Sequence, residues 1–234
     1  MNIANVAEFK RLKRIITCLA ACSLVVFALI YQAACSKPIS LASPFEIQLR
    51  TRTFTPEPGI PADLGARIER VITRMPIELA PDKRRAHLIV QLENPPETAD
   101  RERLAKQGLT LLEPLNKRVW YAAVTSAGAK ALVGLERVRW ADLIKPEDKL
   151  AKVLHDDLPP LPYHLRPGDR IAYSILFHKD VKADEVLGFA NRIDINLEDF
   201  DAQAFPVVRA VTVNVPRGGL TTLTEADKIG RAHV

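Results

Sequence analysis

Beyond Cys35 the chain has no cysteine: its three, Cys18, Cys22 and Cys35, all lie in the first 35 of 234 residues. Neither a disulfide framework nor a thiolate metal site is available downstream. Charge of one sign is also scarce. Of the formal net charge of +5, the first 36 residues carry +3, from Lys10, Arg11, Lys13 and Arg14 against Glu8, which leaves +2. That is too little for the basic footprint of a nucleic-acid binder. No catalytic constellation stands out either. Paired acids such as Glu147-Asp148 and Asp156-Asp157 are adjacent in sequence, a surface pattern more than an acid/base pair facing one substrate. His155, Asp156, Asp157 and His164 sit in a proline-rich arm and read as solvated, so no metal or cofactor is expected.

What is present starts with a leader. Lys10 to Arg14 form a cationic cluster, and residues 15–34 are almost continuously apolar, ending in Ala33-Ala34-Cys35. A charged start, an apolar run and small residues spell export. The run is also about as long as the ~20 residues a spanning helix needs, and the positive charge before it would hold the N-terminus inside. Three outcomes stay open for residues 1–36: a cleaved signal, a membrane anchor, or lipidation at Cys35. All of them place the remainder outside the cytoplasm, in an extracellular or periplasmic setting.

Residues 37–85 read as a proline-rich lead-in, extended and poorly packed. Within it Leu64, Ile68, Val71 and Ile72 recur at helical spacing and predict one short amphipathic helix. Lys83, Arg84 and Arg85 read as solvated surface and not as a processing site.

Residues 86–145 alternate strand and helix. A strand over 87–93 ends at Pro95-Pro96, a charged helix over 98–107 is closed by Gly108, and a second strand over 109–115 carries Pro114, which suits a sheet edge. Residues 119–124 are free of proline and charge, as a central strand should be. Ser126 is placed to cap the next helix, and residues 138–143, with Arg137, Arg139 and Asp142, have an edge composition. Two central-looking strands (first and third) and two edge-like ones fit the ferredoxin-like β-α-β-β-α-β arrangement, with both helices on one face. Trp120, Ala122 and Val124 would then point to the helices. Ile89, Gln91, Tyr121 and Ala123 would form an open face, a candidate docking surface for a partner protein.

After a proline-rich linker over 146–169, the pattern restarts. Ile171, Tyr173, Ile175 and Phe177 alternate; Val186, Ala190 and Ile193 recur at helix spacing; residues 195–200 make a weak edge strand; Val211, Val213 and Val215 alternate again; Leu220 and Leu223 begin a helix. The chain should thus be α+β, with two tandem ferredoxin-like units of antiparallel sheet over 86–145 and 170–227, the second lacking its last strand, all preceded by a signal or anchor helix. Residues 228–234 read as an in-frame translation of a sequencing adapter, so the end is expected to be an artefact joined to a truncated gene.

The runs RTFTPEPG (residues 52–59), HLIVQLENP (87–95), VWYAAVT (119–125), VRWADLIKPEDKL (138–150) and ILFHKDV (175–181), with the turn at Gly108, carry a resemblance. Over most of residues 52–227 the chain resembles the N-terminal pro-region of exported subtilisin-like serine peptidases. The resemblance implies inhibitor-type propeptide units of ferredoxin-like fold that dock an open sheet face on the catalytic domain, guide its folding and block its active site. The family's catalytic segments, an HGT-type histidine, a GTS-type serine and an aspartate before a small residue and glycine, have no counterpart here. A triad needs all three groups converging, so the chain as it stands is expected not to be an enzyme. Its expected partner is a subtilisin-like catalytic domain, normally in cis, with membrane contact through the leader and no nucleic acid. A stand-alone envelope interaction or peptidase-inhibitor protein is the other reading.

Overall fold

The computed structural model describes residues 43–75, 84–151 and 160–233, so the leader and the segment holding His155, Asp156 and Asp157 lie outside the described residues. Among the described residues no helix is long and apolar enough to cross a membrane. The fold is α+β with antiparallel sheets.

The lead-in is not loose. Strands β1 (Ile47–Gln48) and β2 (Thr53–Phe54) pair as a small hairpin, and helix α1 (Leu64–Thr73) follows. Leu64, Ile68 and Ile72, four apart, make a buried stripe on α1. Arg67 on that helix binds Asp142 at 2.7 Å, tying α1 to the first sheet. The sequence reading of a poorly packed lead-in is corrected. Two-residue strands have no period to detect, yet Ile47 is fully buried.

The first sheet is built from β3 (Ala86–Leu92), helix α2 (Thr98–Lys106), β4 (Leu109–Pro114), β5 (Val119–Val124), helix α3 (Ser126–Ala131) and β6 (Val138–Leu143). Its spatial order is β4-β5-β3-β6, so β3 and β5 are central and β4, with its Pro114, lies at an edge. Leu88, Val90, Ala122 and Val124 pack with the stripe of α1 and with Leu104, Ala129 and Leu132 in one core. Burying each valine, leucine or isoleucine among them stabilises the fold by ~1.5–3 kcal/mol.

Two glycines fix how α2 turns into β4. Gly108 has φ +84, and a Cβ there would meet Thr125 Oγ1 at 2.6 Å and the Gly128 backbone at 2.8 Å. A Cβ on Gly128 would in turn meet the Gly108 carbonyl oxygen at 2.3 Å. Only two bare backbones can approach this closely. The cap of α3 is Thr125, whose hydroxyl accepts from Gly128 N at 3.2 Å, not Ser126 as the sequence suggested. Ser126 instead donates to Glu69 on α1 at 3.0 Å.

The second half has helix α4 (Pro146–Lys149), β7 (Leu165–Arg166), β8 (Arg170–Phe177), helix α5 (Ala183–Arg192), β9 (Asn196–Glu198), β10 (Ala210–Pro216), helix α6 (Leu220–Glu225) and β11 (Ile229–His233). The order is β11-β8-β10-β9, with β7 pairing the start of β8. Ile171, Tyr173, Ile175 and Phe177 on β8 pack with Val213 on β10 and with Val186, Phe189 and Leu223 of the helices. Two expectations are corrected here. The second sheet does not lack a fourth strand: Ile229–His233 pairs with β8, and Ile229 is fully buried. The linker opens with α4, whose Asp148 and Lys149 are buried, so that described start belongs to the fold.

Candidate functional site

The face of the first sheet that α2 and α3 leave uncovered is occupied from within the chain. Ile89 and Tyr121, directly paired across β3 and β5, pack with Ile47, Val119 and Ile144. The hairpin that covers them is held by Arg52, which binds Asp148 of α4 through two nitrogens at 2.8 and 2.7 Å. Gln91 donates its side-chain amide to the Phe45 carbonyl at 2.7 Å and accepts from Arg139 at 3.2 Å, so both ends of the amide are satisfied. Ala123 is paired with His87 and is 3% exposed. The expectation that Ile89, Gln91, Tyr121 and Ala123 form an open face is therefore corrected: all four are buried. An apolar face of this kind is stable in water only when covered. Here the covering elements are the hairpin and, at the His87 end, the second half of the chain.

At that end lies a cluster the sequence reading did not assemble. His87, on β3, and His178, the residue after β8, stack with ring centroids 4.1 Å apart and planes 8° from parallel. They are 2% and 4% exposed. Asp227, just past α6, accepts from the His87 backbone N–H at 2.9 Å and meets its Nδ1 at 2.6 Å. Asp180 meets Nε2 of the same ring at 3.0 Å. Arg85 reaches across from the first sheet to Asp180, donating also to its carbonyl at 2.7 Å, and lies 3.4 Å from Glu185 of α5. Lys228 binds the other oxygen of Glu185 at 2.7 Å. Tyr121 sets its ring edge against His178 at 5.7 Å.

Charge divides unequally between the two rings. Burial opposes a proton on His87, yet Asp227 and Asp180 outweigh it and raise this imidazole to about 9. Burial and the charge on His87 instead hold His178 well below its ordinary value, keeping it neutral. His178 Nε2 is buried with no hydrogen-bond partner among the described residues. Both carboxylates are held low in spite of burial, chiefly by His87, Asp227 at about 2. Burial lowers Lys149, which donates to the Ala226 carbonyl at 2.8 Å, to about 8.

Chemically the arrangement holds one proton between two carboxylates and joins the sheets through it. Neither imidazole faces solvent. Among the described residues no group of three or more His, Cys, Asp or Glu could hold a metal ion. His164, weighed in sequence as a ligand, stacks edge-on against Tyr163 at 4.0 Å, away from the cluster. The sequence did carry a sign of the seam. His87 begins one run quoted for the family resemblance and His178-Lys179-Asp180 sits in another, polar residues directly attached to apolar strands. No spacing rule says that the two runs meet.

Compared with known proteins, residues 48–145 match a family model described as a domain of unknown function (DUF8729). The match starts at the second residue of β1 and covers β2, α1 and the whole first sheet, running across the boundary that the sequence reading drew at residue 85. No curated protein and no solved structure matches the chain.

Proposed function

We propose that this chain is the non-catalytic pro-region of an exported subtilisin-like serine peptidase precursor, acting as folding guide and inhibitor for a catalytic domain encoded downstream. The observation that carries the reading is the repeated topology. From β3, and again from β8, the chain runs strand, helix, strand, strand, helix, strand, and counted from those strands each sheet has the neighbour order fourth-first-third-second. A ferredoxin-like unit would have that order, so it supports the resemblance carried by residues 52–59, 87–95, 119–125 and 175–181.

The docking surface moves, however. With the first sheet's face filled, the helix-free face of the second sheet is the one left to dock. Ser174, Leu176, Thr212 and Asn214 line it, half-buried, with Ala210 exposed beside them. Thr212 pairs with Ser174 and Ala210 with Leu176, so the patch spans both central strands. Asn214 Oδ1 is buried there without a partner among the described residues, while its Nδ2 donates to Glu198 at 2.9 Å.

The genomic coding sequence downstream of the second sheet tests the reading. A frame that continues into segments carrying the catalytic aspartate, histidine and serine supports it. A genomic stop codon directly after that sheet supports a stand-alone interaction protein instead and removes the protease from the reading.

A further inference from the structure

We propose that the stacked His87–His178 pair is a proton-gated clasp, which holds the second half of the chain against the first sheet and lets go when a second proton enters the stack. The inference concerns the chain itself and goes beyond the pro-region reading, whose failure would leave it intact.

Three observations carry it. The rings lie 4.1 Å apart and nearly parallel, so a proton on each would set two like charges face to face in a buried site. The two carboxylates that act on His178, Asp180 and Asp227, are already bound to His87. His178 faces the charged His87 from β3 and Lys149 from α4, both repelling, and its own Nε2 has no hydrogen-bond acceptor among the described residues. Around this core Arg85 pairs with both Asp180 and Glu185, Lys228 binds Glu185, and Arg231 lies 5.9 Å from the Tyr121 ring.

Clefts reach residues that touch the stack. Asp227, which binds His87, lines one of about 320 Å³ between α1 and the helices α5 and α6, and Tyr121, whose ring meets His178, lines a second of about 260 Å³. Releasing the clasp frees the His87 end of the covered face, with Tyr121 the side chain that gains most exposure.

The chain supplies its own controls for a test. Tyr121 is 5% exposed at the seam, Tyr173 is 7% exposed in the second core, and Tyr163 is 67% exposed. Hydroxyl-radical footprinting of the full-length chain between pH 7 and 5, scaled to Tyr163, reads seam opening and global unfolding separately. The expected result is a rise in Tyr121 modification approaching tenfold per pH unit below about 6, the limit for one proton, with Tyr173 still protected. His178→Gln, which cannot take the proton, should hold Tyr121 flat. A flat wild type, an equal rise in H178Q, or Tyr121 and Tyr173 rising together would overturn the clasp. If H178Q does not fold, NMR titration of the wild-type imidazoles decides. Proton uptake by His178 in step with Tyr121 exposure is expected, and uptake with Tyr121 still protected overturns the proposal.

Discussion

His87 and His178 lie face to face at 4.1 Å, one carrying a proton and the other refusing it. Each is attached to a central strand of its own sheet, so the stacked pair joins the two halves of the fold. Stability against pH should report the asymmetry. Below 6.5 the unfolded chain takes a proton on His178 that the folded chain refuses, so stability falls as the pH falls. Above 6.5 the folded chain keeps the proton on His87 that the unfolded chain releases, and stability falls as the pH rises towards 9. From about 8 upward Lys149 opposes this, because the unfolded chain then holds the extra proton. Urea midpoints between pH 5 and pH 9 should peak near 6.5, decline on both sides with slopes up to ~1.4 kcal/mol per unit, and flatten above 8.

Removing the charge of Asp227 should expose the same arrangement. Asp227→Asn keeps the shape but leaves the protonated ring of His87 with Asp180 alone. Breaking a buried pair by neutralising one partner costs about 3 kcal/mol. Chemical unfolding at pH 6.5 measures the loss. The alkaline decline should shrink in this variant, since its cause is the raised affinity of His87 for its proton.

The glycine contact at the first helix turn gives a sharp contrast. Gly108→Ala must place a Cβ 2.6 Å from Thr125 Oγ1 at a left-handed φ of +84. Strain and overpacking together should cost roughly 2–5 kcal/mol. Gly134→Ala, where a Cβ meets nothing within 4 Å, should change stability by less than about 1 kcal/mol. Denaturant midpoints of the two variants, compared with wild type, check the difference.

Ile47 is the apolar plug of the hairpin. Ile47→Ala should cost about 2–4 kcal/mol, as other fully buried isoleucines do, and should raise binding of a hydrophobic dye by opening the cover over Ile89. Val207→Ala, at a position 86% exposed, should leave both measurements unchanged.

Much of the fold was legible in the sequence because its elements are long enough to show a period. Seven or eight residues of alternating apolar character marked β3 and β8, and proline marked β4 as an edge. The hairpin over Ile47 and Phe54 was not legible, since each strand has two residues. That omission made Ile89, Gln91, Tyr121 and Ala123 look open, because alternation identifies a second face but not what covers it. Strand β11 was missed for a different reason: the origin assigned to residues 228–234 argued against structure there, while Ile229 and Ala232 are apolar and bury well. The histidine seam depends on residues 87, 178, 180 and 227 meeting across the two halves, which no local pattern encodes.

We propose above that this chain guards a subtilisin-like catalytic domain. The inhibition constant of the purified chain against a subtilisin-like catalytic domain tests that proposal most directly. The expected result is inhibition at or below micromolar concentration that Leu176→Asp, on the free face of the second sheet, weakens at least tenfold. Full peptidase activity at micromolar chain, or inhibition that L176D leaves untouched, would contradict it.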